Sequence, residues 1–373
     1  MALYIHIPFC KQACHYCNFH FSTSLRHKTD LLSALQQEIA LRHEYLATPH
    51  LSTIYIGGGT PSLLTLAELQ ALFQTINTYF VIAPDAEITL EANPDDLTEE
   101  KIAQLRQTPI NRLSIGIQSF DEADLQFMHR AHNTQQAQNC IQLAQEAGFH
   151  NLSIDLIYGS PTTSNAIWQH NLERVFGFRI PHISAYCLTI EPKTALEHFV
   201  KHQKVAAPNE EQAAQQFEIL CQMTQEAGYQ HYEISNFCLP NQHARHNTSY
   251  WQGKHYLGIG PSAHSFNGHS RQWNIANNAK YIEKIGQKQI PAEIEQLTLN
   301  NQYNEYVMTS LRTIWGSNLQ YIQEQFGAEF QTHFLQHILP FEQERYVMRE
   351  KQHFRLTFKG KLLADKIAMN LFR

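Results

Sequence analysis

The sequence predicts an α/β protein built on a parallel sheet, and two observations carry that expectation. Short runs rich in Ile, Leu and Tyr alternate with amphipathic stretches about three to five helical turns long, which is the pattern of parallel βαβ units. Four of the six runs also end in glycine or a polar residue, as strands do when the loops at their carboxyl ends gather on one face. Six strand-like runs can be counted, at residues 3–8, 53–59, 87–93, 112–119, 152–159 and 182–190. Eight such units would close a standard barrel, so six leave it incomplete.

In chain order, the first run leads through a cysteine-bearing loop into a helical stretch at 28–46. Further helices are expected at 66–80, 98–107, 134–147 and 209–227. Asp95, Asp96 and Thr98 ahead of the 98–107 stretch are helix-start residues, because their side-chain oxygens accept from free N–H groups of a first turn. After Phe237 the alternation stops. Residues 238–280 are rich in Gly, Asn, His and aromatics, which reads as irregular loops with one short strand. Helical patterns return near Leu297, at 304–315 and on through Phe326. The closing unit, FRLTFKGKLLADKIAMNLF, reads as a strand, a turn at Gly360 and a terminal helix. The expected divisions are a barrel over 1–237, a connecting segment over 238–290 and a small, mainly helical domain over 291–373. That last domain would carry a wing-like hairpin, as in winged helices, and pack against or cover the barrel mouth.

Composition excludes several classes of function. At 373 residues, with 43% hydrophobic residues, the chain is long enough for one large core and a smaller one. No run of about 18 uncharged apolar residues occurs, so no membrane span is expected. The start, MALYIHIPFC, is unlike a secretory signal, and the expected location is cytoplasmic. A formal net charge of -6 gives no basic surface for nucleic acid. Seven cysteines, an odd number with three clustered, argue for reduced thiols with a metal role and against a disulfide framework. Cys140, Cys187, Cys221 and Cys238 are scattered and read as small buried hydrophobes. Twenty-two histidines raise the question of axial heme ligation.

The most informative stretch is YIHIPFCKQACHYCNF, where Cys10, Cys14 and Cys17 fall at CxxxCxxC spacing. Three thiolates this close can hold three irons of a 4Fe-4S cluster; a zinc site with a distant fourth ligand is the competing reading. Position 19 is Phe19, so the fourth iron would stay open to an exogenous ligand. GGGTPS, at residues 57–62, leaves a strand with glycines that admit close backbone approach, and the absence of GxxxxGK[ST] argues against a phosphate loop.

These motifs resemble the radical S-adenosylmethionine (SAM) family, and YIHIPFC followed by CxYCxF resembles its oxygen-independent coproporphyrinogen III oxidases and their HemW-type heme chaperone relatives. The resemblance implies an open, partial barrel of six βα units and a cofactor whose amino and carboxylate groups chelate the open iron. It assigns Gly58, Gly59 and Thr60 to the methionine end of S-adenosylmethionine. It also assigns Tyr4, Phe19, Glu91, Gln118, Arg130 and Asp155 to cofactor contacts. The residue types suit that ligand, since Arg130 would pair a carboxylate while Glu91 and Asp155 would accept from amino and hydroxyl groups. The difficult chemistry would belong to the cofactor, so no catalytic side chain is assigned.

Three features favour the chaperone over the oxidase. Phe19 stands where the oxidases resemble CxxxCxxCxC, only Met1, Ala2 and Leu3 stand ahead of YIHIPFC, and HNTSYW at residues 246–251 matches the HNxxYW motif of the chaperones. YEISNF before it and GIGPSAHSF after it are also chaperone-like. His246 would then ligate heme iron, with Tyr250 and Trp251 against the porphyrin, and heme and heme-accepting proteins would be the partners. A homodimer is compatible with the sequence. The alternative is a coproporphyrinogen III oxidase or another radical enzyme acting on a porphyrin.

Overall fold

The computed structural model describes residues 1–373. The barrel half runs β1 (Ala2–Ile7), α1 (Lys28–Arg42), β2 (His50–Gly58), α2 (Leu66–Tyr79), β3 (Val81–Ala92), α3 (Glu99–Leu105), β4 (Arg112–Gln118), α4 (Glu122–Phe127), α5 (Thr134–Glu146), β5 (Leu152–Tyr158), α6 (Asn165–Gly177), β6 (His182–Cys187), α7 (Ala195–Lys201) and α8 (Glu210–Glu226). There follow β7 (Gln230–Glu233), β8 (Asn236–Cys238), α9 (Arg245–Trp251), β9 (Tyr256–Ile259), β10 (His264–Phe266), β11 (Ser270–Asn274), α10 (Asn278–Gly286) and β12 (Ala292–Gln296). The chain closes with α11 (Leu299–Leu311), β13 (Ser317–Asn318), α12 (Leu319–Phe326), α13 (Ala328–Gln343), β14 (Val347–Glu350), β15 (His353–Leu356), α14 (Phe358–Lys361) and α15 (Ala364–Leu371).

Strands β1 to β6 pair neighbour to neighbour, all parallel, in chain order. They are the middle of a twelve-stranded sheet ordered β12-β11-β10-β9-β1-β2-β3-β4-β5-β6-β8-β7. Each parallel strand alternates in character. In β4, Leu113, Ile115 and Ile117 are buried in the main apolar core with Ala137 and Ile141 of α5. Arg112, Ser114, Gly116 and Gln118 take the opposite face. Period-two alternation therefore gives the barrel an apolar outer face under the helices and a polar interior. That interior has two ends: Glu87, Arg112, Ser153 and His182 form a floor at the strand starts, and the strand ends form a mouth.

The floor is plugged by α9. Its first N–H groups, on Arg245 and His246, donate to the two oxygens of Glu87 at 3.0 and 2.8 Å. A buried carboxylate thus satisfies donors that a helix start leaves free. On the opposite side of the floor, His182 bonds Ser153 and the Tyr232 hydroxyl at 2.7 and 2.8 Å.

Three expectations are corrected. Residues 238–280 hold α9, β9, β10 and β11, so the sheet runs on through both residue 237 and residue 290. Gly258 in β9 is a packing glycine, since a Cβ there would lie 1.9 Å from the His264 carbonyl of the paired strand β10. Gly360 is not a turn but part of α14, where a Cβ would meet the Tyr346 carbonyl at 1.9 Å. The closing unit has its own core, including Tyr303, Phe334 and Phe354, and a three-stranded sheet ordered β13-β15-β14 that includes the expected hairpin. It does not cover the mouth. Trp315 lies against Tyr232 and His243, and Ile314 N–H donates to the Tyr232 carbonyl, which seats the unit at the floor.

Candidate functional site

A cleft of about 460 Å³ opens at the barrel mouth. Cys10, Cys14, Cys17 and Phe19 form one wall, and Gly58, Gly59, Thr60, Glu91, Gln118, Arg130 and Asp155 form much of the rest. Eleven of the fifteen candidate residues therefore meet in one place.

The cysteine loop is held there by backbone and side-chain ties. Cys10 N–H donates to the Ser22 carbonyl and His15 N–H to that of Met128, while Leu196 N–H at the start of α7 donates back to His15. Lys11 pairs with Asp95 at 2.7 Å and with Asp96, and His129 Nδ1 donates to the Ala13 carbonyl at 2.9 Å. The glycine run receives the loop. Gly59 N–H donates to the Ile7 carbonyl and Thr60 N–H to that of Phe9, at 2.8 and 2.6 Å. A Cβ on Gly59 would lie 2.6 Å from the Phe9 carbonyl oxygen, so only glycine permits this approach. Gly58, at φ +113°, has the His6 ring where a Cβ would go.

Arg130 ties the two halves together. Its Nη1 reaches Cys14 Sγ at 3.1 Å, and its Nη2 donates to Asn93 Oδ1 and the Gly116 carbonyl at 2.9 and 2.8 Å. Its Nε is buried without a partner. Glu91 accepts from the Tyr55 hydroxyl at 2.7 Å and from Gly58 N–H at 2.9 Å. Gln118 adopts φ 67°, a conformation side-chain-bearing residues rarely take and one that recurs at functional sites.

The electrostatics call for cations. Burial pushes the Glu91 carboxyl up to about 7, with Asp155 adding repulsion, and pushes Asp155 up to about 6. Burial likewise pushes the Cys10 thiol up to about 11 and raises that of Cys17. Three half-buried thiols, two desolvated carboxylates, an unpaired arginine donor and a glycine cradle suit an iron-sulfur cluster and a zwitterionic sulfonium. The thiols are gathered in the cleft without being drawn into a closed metal-ligating set.

Four candidates lie elsewhere. Tyr4 sits below the cleft floor, its hydroxyl 3.0 Å from His6 Nδ1 and its ring stacked on Tyr55, because its position on β1 is a layer short of the mouth. His246 is only 1% exposed, with Nδ1 2.8 Å from Thr53 Oγ1 and Nε2 2.7 Å from the Tyr250 hydroxyl. Burial holds its imidazole neutral, pulling it down to about 3. Both ring nitrogens are thus engaged in the barrel floor, at the end opposite the cysteines. Tyr250 is half-buried beside it, packed on Tyr256, and Trp251 ends the same helix.

The cleft also contains residues that were not singled out, among them Asn93, Ser114, Tyr186 and Cys187. Ser114 could have been found, since it shares the inward face with Gly116 and Gln118 in RLSIGIQ. Cys187 gave no signal, because a lone cysteine in an apolar run reads as core.

The Radical SAM superfamily model matches residues 4–174, and the HemN C-terminal domain model matches residues 297–363. A Bacillus subtilis protein named heme chaperone HemW is 32% identical over 98% of this chain and 97% of its own length. The Escherichia coli protein of that name is 36% identical over 71% of this chain and 69% of its own. Among solved structures, coproporphyrinogen III oxidase (HemN) from Escherichia coli, described as a radical SAM enzyme, superposes with a TM-score of 0.87. It is 25% identical, and the match covers 100% of this chain and 89% of that one.

Proposed function

This chain belongs to the radical SAM superfamily and, within it, to the HemW family, and from that premise we propose that it holds heme and hands it to acceptor proteins. The observation that carries the reading is end-to-end similarity, at 32% identity, to a protein named heme chaperone HemW. The oxidase relative stands at 25%. Phe19 in place of a further cysteine agrees with it.

Cys10, Cys14 and Cys17 would hold three irons of a 4Fe-4S cluster. Glu91, Asp155, Gln118, Arg130 and the Gly58 to Thr60 cradle would hold S-adenosylmethionine. Together the two groups supply one-electron reductive chemistry when bound. The chain's own residues fix the loop, present paired charges and narrow the cleft. The half-buried, unpaired thiol set calls for a reducing compartment such as the cytoplasm.

Heme ligation by His246 is supported by the HNxxYW match and requires more than a free imidazole. The bond from Nε2 to Tyr250 must break, or α9 must lift from Glu87, and heme affinity falls by whatever that opening costs.

Anaerobic reconstitution with iron and sulfide, followed by heme titration and, separately, by reductant with coproporphyrinogen, tests the reading. Stoichiometric heme capture without vinyl product is expected. Steady vinyl formation without heme retention would transfer the chain to the oxidase class.

A further inference from the structure

Glu91 is the buried carboxylate at the centre of the cleft, and the side chain that holds it has no assigned role. We propose that Tyr55 is a positioning residue for the cofactor site, its hydroxyl orienting the Glu91 carboxylate toward the cation of S-adenosylmethionine. This rests on the reading that S-adenosylmethionine occupies the cleft.

The geometry is specific. Tyr55 lies on the inward face of β2, two residues before the glycine run, and donates to Glu91 Oε1 at 2.7 Å. It is the only side chain hydrogen-bonded to that carboxylate, whose Oε2 is held by Gly58 N–H at 2.9 Å. The Tyr55 ring is itself fixed, stacked on Tyr4 with centroids 6.1 Å apart and lying 5.1 Å from the His246 ring. A Cβ on Gly57 would collide with both the Tyr55 ring and Glu91, so the glycine run also keeps room for this pair. A hydroxyl donor favours the ionised form of a desolvated carboxylate, which is the form a sulfonium or ammonium needs. The other titratable groups facing Glu91 are Asp155 on β5, Tyr4 on β1, Tyr186 on β6, Tyr250 on α9 and the Cys17 thiol. None of them hydrogen-bonds it.

The test is the affinity of the cluster-reconstituted protein for S-adenosylmethionine between pH 6 and 9, read by anaerobic calorimetry, with the cluster spectrum recorded before ligand is added. Tyr55→Phe keeps the ring and loses the donor. It should leave the spectrum unchanged, weaken binding about tenfold near pH 7, move the acid limb of the profile to higher pH and recover affinity at pH 9. In a Glu91→Gln background the same change should add nothing. A Tyr55→Phe profile that is unmoved, or lowered equally at every pH, overturns the proposal. If the wild-type protein with an intact cluster fails to bind S-adenosylmethionine, it is the function proposed above that fails, and that outcome is distinguishable from the first.

Discussion

Glu91 costs the empty fold stability. Its carboxyl ionises near 4.5 when unfolded and near 7 when folded, so the folded state keeps a proton the unfolded state has lost. Stability therefore falls as pH rises from about 4.5 to 7 and stays lower above that. Glu91→Gln removes the penalty. The variant should melt like wild type near pH 4.5 and gain on the order of 3 kcal/mol at pH 8, while binding the cofactor measurably but more weakly. Chemical denaturation at the two pH values checks this. Glycine positions separate in the same way. Gly59→Ala should displace the cysteine loop and lower the iron retained after reconstitution several-fold. Gly177→Ala, with open space around it at the end of α6, should be neutral or stabilising by up to about 1 kcal/mol. At this scale the thiols, the glycine run and Glu91 were legible, because spacing or strand-end position marks them. Tyr55 and Asn93 were not. Their importance comes from which neighbour they touch across the barrel, which no local pattern encodes.

The helix α9 shows the opposite limit of reading a motif. HNTSYW stood out in the sequence, yet residue type alone could not say whether its histidine faces a ligand or fills a floor. His246→Ala removes two buried hydrogen bonds and leaves the Thr53 and Tyr250 hydroxyls without their partner, so a loss of about 2 to 4 kcal/mol is expected from thermal unfolding. If heme is taken by this histidine, heme addition should speed amide exchange across residues 245–251. Unchanged exchange with full heme binding would place the ligand elsewhere. The parallel strands were legible for the converse reason: alternation along β3, β4 and β5 is local, and both faces are buried. Of β9 to β12 only one short strand was expected, because each is short and their pairing depends on partners outside the local run.

For the whole molecule, the second core decides how damage spreads. Phe334 is fully buried in the closing unit, and Phe334→Ala should cost about 3 to 5 kcal/mol there. A calorimetric scan should show a lowered transition, while the cluster absorbance of reconstituted protein stays as in wild type, because no cleft residue lies beyond Glu191. The size of that closing unit was readable from its helical periodicity. Its seat was not, since it depends on Trp315 meeting Tyr232 and His243 across the chain. With this unit beneath the barrel, the rim around Phe19 and Tyr186 faces open water, Phe19 at 69% exposure and Tyr186 at 46%. A large visitor can then reach the cleft without displacing the closing unit, whereas the floor, where His246 lies, offers no such open approach.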